Sequence, residues 1–341
     1  MTSVAVAGNR SAWRGRLGTE PVAARPTLDA RRALQLVLAA IWLLDGVLQY
    51  QGFMFTTGDN GFNGMLAGTA SGNPGIVARP ITWDATLVGH HIVLLNTIFA
   101  TIQLLLGLGI AFRPTVRVAL AASILWSLGV WWFGEGLGGV LNGGASPLNG
   151  APGAVILYAL LAVLLWPADR VNPAPFTAAR AVGVQVARAL WLVLWLSLAY
   201  FALTPDNRAP QGVNGMIAGM EGGEPVWLQD LMKGAASLTA NQGLATSIVL
   251  AIALALVAVG VYLPARVARG ALVLAIVVSA LIWVFAQALG GILATGATDV
   301  NSGPLLILLA LAYWPLRTTP ATPPGAPAIG VVTLTTEEGA R

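Results

Sequence analysis

The sequence contains no cysteine, only one lysine and few charged residues of any kind. The absence of cysteine excludes disulfides, thiolate metal sites and thiol redox chemistry. Charged residues make up 9% of the chain and hydrophobic residues 56%, with a mean hydropathy of +0.75, whereas a soluble domain has roughly 25% charged residues. These values predict an integral membrane protein. The net charge of +4 is almost wholly an arginine count and does not indicate nucleic-acid binding.

Eight apolar segments predict an all-α, polytopic membrane protein with eight transmembrane helices. The segments lie at 33–50, 89–112, 116–133, 152–166, 184–203, 244–262, 271–285 and 304–314. Arginines concentrate in alternate connections, which the positive-inside rule places in the cytoplasm together with both termini. The loops 51–87 and 204–241 are then outside, and residues 63–75 are predicted to form a turn-rich amphipathic lid. The alanine- and arginine-rich, lysine-poor composition favours a bacterial plasma membrane.

The chain also repeats itself with a period of about 151 residues. Asn63-Gly-Met-Leu-Ala-Gly recurs as Asn214-Gly-Met-Ile-Ala-Gly, and the glycine-rich segment after Trp131 recurs between Ile282 and Pro304. This pattern predicts two four-helix repeats of the same orientation, related by a pseudo-twofold axis along the membrane normal. The predicted organisation is a cytoplasmic tail at 1–32, repeats at 33–168 and 184–316, and a flexible tail at 317–341.

Each glycine-rich segment precedes an unusually short apolar segment. These segments have about 15 and about 11 residues, or roughly 22 and 17 Å of helix, against the roughly 30 Å of a bilayer core. The deficit predicts that the glycine-rich backbone dips below the membrane surface, where it must be buried in protein or line a wet cavity. Paired interruptions of this kind predict a binding site.

Two acidic residues are the main candidates for this site. Glu135 aligns with Gln287, which has a similar shape but cannot ionise; it is either a proton, cation or head-group site, or an interfacial carboxylate in water. Asp45 lies within the first apolar segment, where an unpaired carboxylate is costly. It is predicted to be buried, protonated or paired, with helix packing as the simpler role.

The remaining candidates are neutral or weakly basic. His90 and His91 are adjacent, so one helix cannot direct both at one ion; no metal site is predicted, and His91 is retained only as a binding candidate. Gln103 is predicted to make an interhelical hydrogen bond. Other candidate binding residues belong to the glycine-rich segments or the helix before them: Asn149, Asn301, Trp131 and Trp132.

No motif for an enzyme class is present, including P-loop, GxSxG and HExxH motifs and dinucleotide fingerprints. The sequence therefore predicts no catalytic residues and no particular cofactor.

Each half resembles the DoxX-type family of small bacterial membrane proteins. The resemblance rests on the helical order, on "LDGVLQ" at 44–49 and on "GLGIAFRPTVR" at 107–117. It implies a role beside membrane redox chemistry, as a quinone-associated subunit of an oxidoreductase. The chain departs from the family in being duplicated, in lacking cysteine and in lacking a basic residue at the end of the first helix.

Three functions are compatible with these features. The first is an accessory or anchor subunit of a redox system that holds a quinone or lipid in an outer groove against Trp131 and Trp132. The alternative is a small-solute or ion transporter that uses Glu135 and Asp45. The third is a protein whose glycine-rich faces only pack against other membrane subunits. The scarcity of polar residues in the predicted spans favours the first.

Overall fold

The computed structural model describes residues 29–316. The predicted C-terminal tail and all but residues 29–32 of the predicted N-terminal tail lie outside the described residues. Between residues 29 and 316 the fold is all-helical, without a β-strand and with one isolated β-bridge between Phe176 and Pro315. The prediction of an all-α protein is confirmed.

The described residues form fourteen α-helices. In chain order these are α1 Ala30–Leu48, α2 Phe62–Gly68, α3 Gly75–His90, α4 Ile92–Ala111, α5 Val116–Phe133, α6 Ala154–Leu164, α7 Thr177–Val182, α8 Val184–Phe201, α9 Pro205–Arg208, α10 Gly212–Gly219, α11 Val226–Thr239, α12 Gly243–Gly260, α13 Ala265–Leu281 and α14 Ser302–Ala312. We call the end of the bundle that carries the long connections α1–α4, α5–α6, α8–α12 and α13–α14 the hairpin side. The opposite end, with the remaining connections, is the short-turn side.

Five helical segments are long and apolar enough to cross a membrane. They are Ile92–Ala111, Arg113–Phe133, Val184–Phe201, Gly243–Gly260 and Ala265–Ala286. The other three predicted spans differ from these. Helix α1 has 19 residues but carries three charged side chains, and α6 and α14 are apolar but have only 11 residues each, about 16 Å of helix. The chain is therefore a helical membrane protein with five candidate spans among the described residues.

Glycine lets the first and fourth helices pack closely. A side chain at Gly46 of α1 would collide with Leu104 of α4, and one at Gly107 of α4 would collide with Leu43 of α1. The two short helices α6 and α14 contact each other and are buried on most sides, so longer helices surround them. Apolar burial on most sides explains why α6 and α14 show little amphipathic pattern in the sequence.

The two long connections contain more helix than the sequence indicated. Residues 63–75 comprise most of α2 and a run of turns at 69–73, the first connection then continues as helix α3, and the second forms α9, α10 and α11. Helix α3 buries residues at three- and four-residue spacing, Val77, Ile81, Ala85 and Val88, as an amphipathic helix does. The dense glycine, proline and asparagine residues at 72–75 obscured this pattern.

An ion-pair network lies on the short-turn side. Arg180 donates from Nη1 to Asp29 Oδ1 at 2.7 Å and from Nε to Asp169 Oδ1 at 2.8 Å. Asp169 also accepts from Arg31 at the start of α1. The hydrogen bonds from Arg180 and Arg31 lower the pKa of Asp169. The network ties the first helix to the connection between α6 and α8.

Candidate functional site

The segments after α5 and α13 adopt closely similar local structures. Trp131 Nε1 donates to the Pro152 carbonyl at 2.6 Å, and Trp283 Nε1 donates to the Val300 carbonyl at 2.9 Å. Each indole thus ties the end of the helix to the return of the hairpin. We call residues 134–153 and 287–301 the first and second hairpins.

Both hairpins turn through four consecutive residues with positive φ, Gly136–Gly139 and Ala288–Gly291, and the central two of each are a leucine and a glycine. The φ angles are 59° and 63° at Leu137 and Gly138, and 56° and 80° at Leu289 and Gly290. Leucine adopts this left-handed conformation rarely and at a conformational cost. The surrounding contacts therefore enforce the turn in both hairpins.

Replacing Gly138 by alanine is expected to destabilise the protein by about 2 kcal/mol or more. The new Cβ would collide with the backbone carbonyl of Pro152, at a residue whose φ already disfavours side chains. Thermal unfolding of the detergent-solubilised protein, followed by tryptophan fluorescence, measures the effect. Gly215→Ala is the control, because Gly215 lies in α10 with open space around it. Equal melting temperatures for both variants would contradict the prediction.

Glu135 and Gln287 occupy matching positions at the start of each hairpin, and both accept hydrogen bonds from the first turn of the helix that follows. Glu135 Oε1 accepts from the Val155 backbone N–H at 3.0 Å, and Gln287 Oε1 accepts from the Gly303 backbone N–H at 3.2 Å. Gln287 Nε2 also donates to Ser302 Oγ at 2.8 Å. Glu135 Oε2, by contrast, is buried and has no hydrogen-bond partner within residues 29–316. The glutamine is satisfied inside the protein, whereas the glutamate retains an acceptor without a donor.

Glu135 lies in the wall of a cavity of about 270 Å³ on the hairpin side. Helices α1, α4, α5 and α6 and the second hairpin enclose it, together with α2 and α3, which we call the lid. Four carboxyl groups line the cavity, those of Asp45, Asp84, Glu135 and Asp299, and none of the described lining residues is basic. Most other lining residues are apolar or aromatic. The cavity is therefore strongly acidic when its carboxyl groups are ionised.

Asp45 is the most buried of the four acids. Asp45 is only 2% exposed, and the Tyr158 hydroxyl donates to its Oδ2. Oδ1 has no hydrogen-bond partner within the described part of the chain. The Tyr158 ring packs on Trp42, with 4.3 Å between ring centroids, and Trp42 Nε1 donates to Ser123 Oγ at 3.1 Å. Asp45 is thus held in place through Oδ2, and the Val300 backbone also lies beside its carboxyl.

Asp299 is a site residue that sequence reasoning missed. It comes from the second hairpin, and its Oδ1 accepts from the Asn301 backbone N–H at 2.6 Å while its Oδ2 accepts from Thr298 Oγ1 at 2.8 Å. Burial raises the pKa of Asp299, and burial together with the Asp299 carboxyl raises the pKa of Glu135 to about 8. Both residues lie in hairpins outside the spanning helices. No local motif marks Asp299, because it meets the other acids only in the folded bundle.

Two more unsatisfied polar atoms face the same region. Gln103 is 9% exposed and lines the cavity, and its Oε1 has no partner among residues 29–316. The predicted interhelical role belongs instead to Gln49, whose Nε2 donates to Asn96 Oδ1 at 2.5 Å. Trp126 Nε1 is also unpartnered among the described residues. Buried polar groups without partners are uncommon in folded proteins and require an explanation, such as a bound water or ion.

The rim of the cavity is apolar and reaches the side of the bundle. Met65 of the lid is 37% exposed and Leu125 of α5 is 73% exposed. Leu125 precedes the end of α5 at Phe133 by about 12 Å along the helix axis. The cavity therefore opens laterally between α2 and α5 and does not open only at the hairpin side.

The structure brings together two of the eight sequence-predicted site residues, Asp45 and Glu135. The other six do not line the cavity. Gln287 and Trp131 are used in hairpin hydrogen bonds, and Asn301 Oδ1 accepts from the Ser302 backbone N–H at 2.7 Å. Three are exposed at the protein surface: His91, Trp132 and Asn149. His90 is exposed beside His91, and residues 29–316 contain no cluster of three metal-ligating side chains.

The fold and site thus define a helical membrane protein with a buried, carboxylate-lined cavity. The chain matches no protein-family model, no curated protein and no solved structure. The cavity itself is the basis for any functional assignment.

Proposed function

We propose that the protein is a membrane transporter for a small solute, and that it binds a cation in the acidic cavity as substrate or coupling ion. One observation carries this proposal: Asp45, Asp84, Glu135 and Asp299 line a single cavity to which the described residues contribute no basic side chain. Buried like charges repel strongly at low dielectric. Either protons or a bound cation must neutralise them, and a site that exchanges the two can couple their movements.

A duplicated architecture supports a transporter. We propose that the matched hairpins derive from two four-helix repeats, with the hairpin side facing outward. The first repeat contributes three of the four acids and the second contributes Asp299, while the positions aligned with Asp45 and Asp84 hold Leu196 and Ala235. Duplicated halves with interrupted helices commonly form the moving parts of transporters, with the binding site between them.

The two ends of the bundle differ in the way that alternating access requires. The cavity lies on the hairpin side and opens laterally there, whereas the Arg180 network joins Asp29 and Asp169 on the short-turn side. Release toward the short-turn side would require these ion pairs to separate. Exposed pairs of this kind are weak, each contributing about 1 kcal/mol or less, so separating them costs little free energy.

The redox-anchor function implied by the DoxX resemblance remains a prediction. Its proposed groove against Trp131 and Trp132 is not the cavity described above. Quinone carbonyls need hydrogen-bond donors, and the cavity wall offers Trp126 Nε1 and any protonated carboxyl, since ionised carboxylates only accept. Quinone recovered by solvent extraction from the purified protein, in amounts near one per chain, would favour the anchor function.

Transport is tested with proteoliposomes and radiolabelled sodium, rubidium and methylammonium. We expect saturable uptake of at least one of these cations. Asp45→Asn should reduce the uptake by roughly tenfold or more, since it removes one buried charge partner. Asp206→Asn is the control, because Asp206 is exposed on the hairpin side outside the cavity. Uptake no greater than that of protein-free liposomes for all three cations would refute the proposal.

Cation binding is expected to strengthen as the pH rises. With the pKa of Glu135 raised to about 8, this carboxyl is protonated at lower pH and a cation must displace its proton. Apparent affinity should increase by up to about tenfold per pH unit below pH 8 and level off above it. The other titratable groups facing the cavity are Asp45, Asp84, Asp299 and Tyr158. Calorimetry in buffers of different ionisation enthalpy measures the released protons, and a pH-independent affinity would contradict this expectation.

A further inference from the structure

The cavity presents hydrogen-bond acceptors that lack donors. Asp45 Oδ1, Glu135 Oε2 and Gln103 Oε1 are all buried and unpartnered within residues 29–316. Asp45 and Gln103 are only 2% and 9% exposed. An ammonium group offers up to three N–H donors and a positive charge, so it complements both the unpaired oxygens and the charge of the site.

Aromatic rings form much of the cavity wall. Trp42 and Tyr158 pack together on one side, and Phe99 and Trp126 form a second pair with 5.7 Å between ring centroids. Aromatic faces attract organic cations, and burying an apolar substituent of the ligand against these rings is also favourable. A bare metal ion gains little from such walls, because Ca²⁺ and Mg²⁺ require six or more oxygen ligands.

The dimensions of the cavity limit the size of its ligand. Its volume of about 270 Å³ is just below the ~300–1,000 Å³ range of small-molecule pockets. The exposed apolar rim at Met65 and Leu125 lets part of a ligand extend toward the side of the bundle. A compact cation with an apolar substituent fits both features.

We infer that the cavity binds a small organic ammonium ion that carries an apolar substituent, with its ammonium group between the carboxyls of Asp45 and Glu135 and its substituent against the aromatic wall. This inference rests on the cation-binding function proposed above and adds the chemical class of the cation.

Calorimetric titration of the full-length, detergent-purified protein tests the inference directly. The probes are benzylammonium, its neutral analogue benzyl alcohol, and sodium, potassium and calcium ions. We expect saturable benzylammonium binding at least about tenfold tighter than benzyl alcohol binding, because only the ammonium pairs with buried carboxylates. Equal affinity for the two aromatic probes, or binding of inorganic cations without benzylammonium, would overturn the inference.

A wall variant separates aromatic recognition from charge. Trp126→Leu should weaken benzylammonium binding by about three- to thirtyfold, through loss of the cation–π contribution. Phe133→Leu is a second wall variant in case the first folds poorly. Trp83→Leu is the control, because Trp83 is 64% exposed on α3 outside the cavity. Unchanged benzylammonium affinity in both folded wall variants would refute the aromatic contribution and hence the assigned ligand class.

The binding and uptake experiments distinguish the two proposals. Benzylammonium binding without uptake of any radiolabelled cation would refute transport and support the ligand class. Uptake of sodium or rubidium without benzylammonium binding would support transport and refute the ligand class.

Discussion

Glu135→Gln is expected to abolish tight cation binding while leaving the fold intact. The glutamine retains the Oε1 acceptor for the Val155 N–H, as Gln287 does for Gly303 in the second hairpin. The chain therefore already contains a stable version of the substituted structure. Losing a buried charge partner costs about 2 kcal/mol or more, or roughly thirtyfold in affinity. The pH dependence of binding near pH 8 should disappear together with the affinity.

Calorimetry with sodium, potassium and benzylammonium measures this loss, and thermal unfolding tests the fold. Glu221→Gln is the matched control, because it is the same substitution at a partly exposed position away from the cavity. Wild-type affinity in Glu135→Gln would show that Glu135 is a structural cap of α6 and no part of a cation site. A melting temperature lowered by more than about 5 °C would show instead that the carboxylate stabilises the hairpin.

The reciprocal substitution, Gln287→Glu, is expected to destabilise the protein severely. Gln287 is 1% exposed, and its Nε2 donates to Ser302 Oγ and, at 3.4 Å, to the Pro147 carbonyl. A carboxylate would place an acceptor against the Pro147 carbonyl and add a buried charge without a cationic partner. The cost is about 3 kcal/mol or more, which corresponds to a fall in melting temperature of roughly 6 to 12 °C.

Thermal unfolding at several pH values tests the cause of this destabilisation. Burial would raise the pKa of the introduced carboxyl, so stability should recover as the pH falls and the group becomes protonated. Gln242→Glu, at an exposed position before α12, is the control. Destabilisation that is equal at low and high pH would exclude the charge as its origin.

The sequence predicted best those features that depend on local patterns. Uninterrupted apolar runs located helices such as α4 and α12, because a membrane helix needs a minimum apolar length. The recurring glycine-rich pattern located both hairpins. The lid helix α3 was missed, because Pro74, Gly75 and Pro80 obscured its amphipathic spacing.

The cavity could be predicted only in part. Asp45 and Glu135 were identified because a carboxylate within or beside an apolar helix is costly. Asp84 lies on helix α3, which was not predicted. Asp299 is separated from Asp45 by most of the chain, so no local pattern showed that either residue would join the cavity. Trp131 and Asn301 were predicted to bind a ligand, but their polar atoms are used to close the hairpins.

The contribution of Asp299 from the second hairpin has a consequence for how such a site can arise. In a symmetric pair of identical four-helix subunits, every substitution appears twice, and a new acid in one wall also alters the opposite wall. In the duplication proposed above, covalent fusion removes that constraint: one copy can accumulate carboxylates while the other supplies a single inserted group and keeps its glutamine. Under that proposal, a single acidic cavity requires that the two repeats have diverged in sequence.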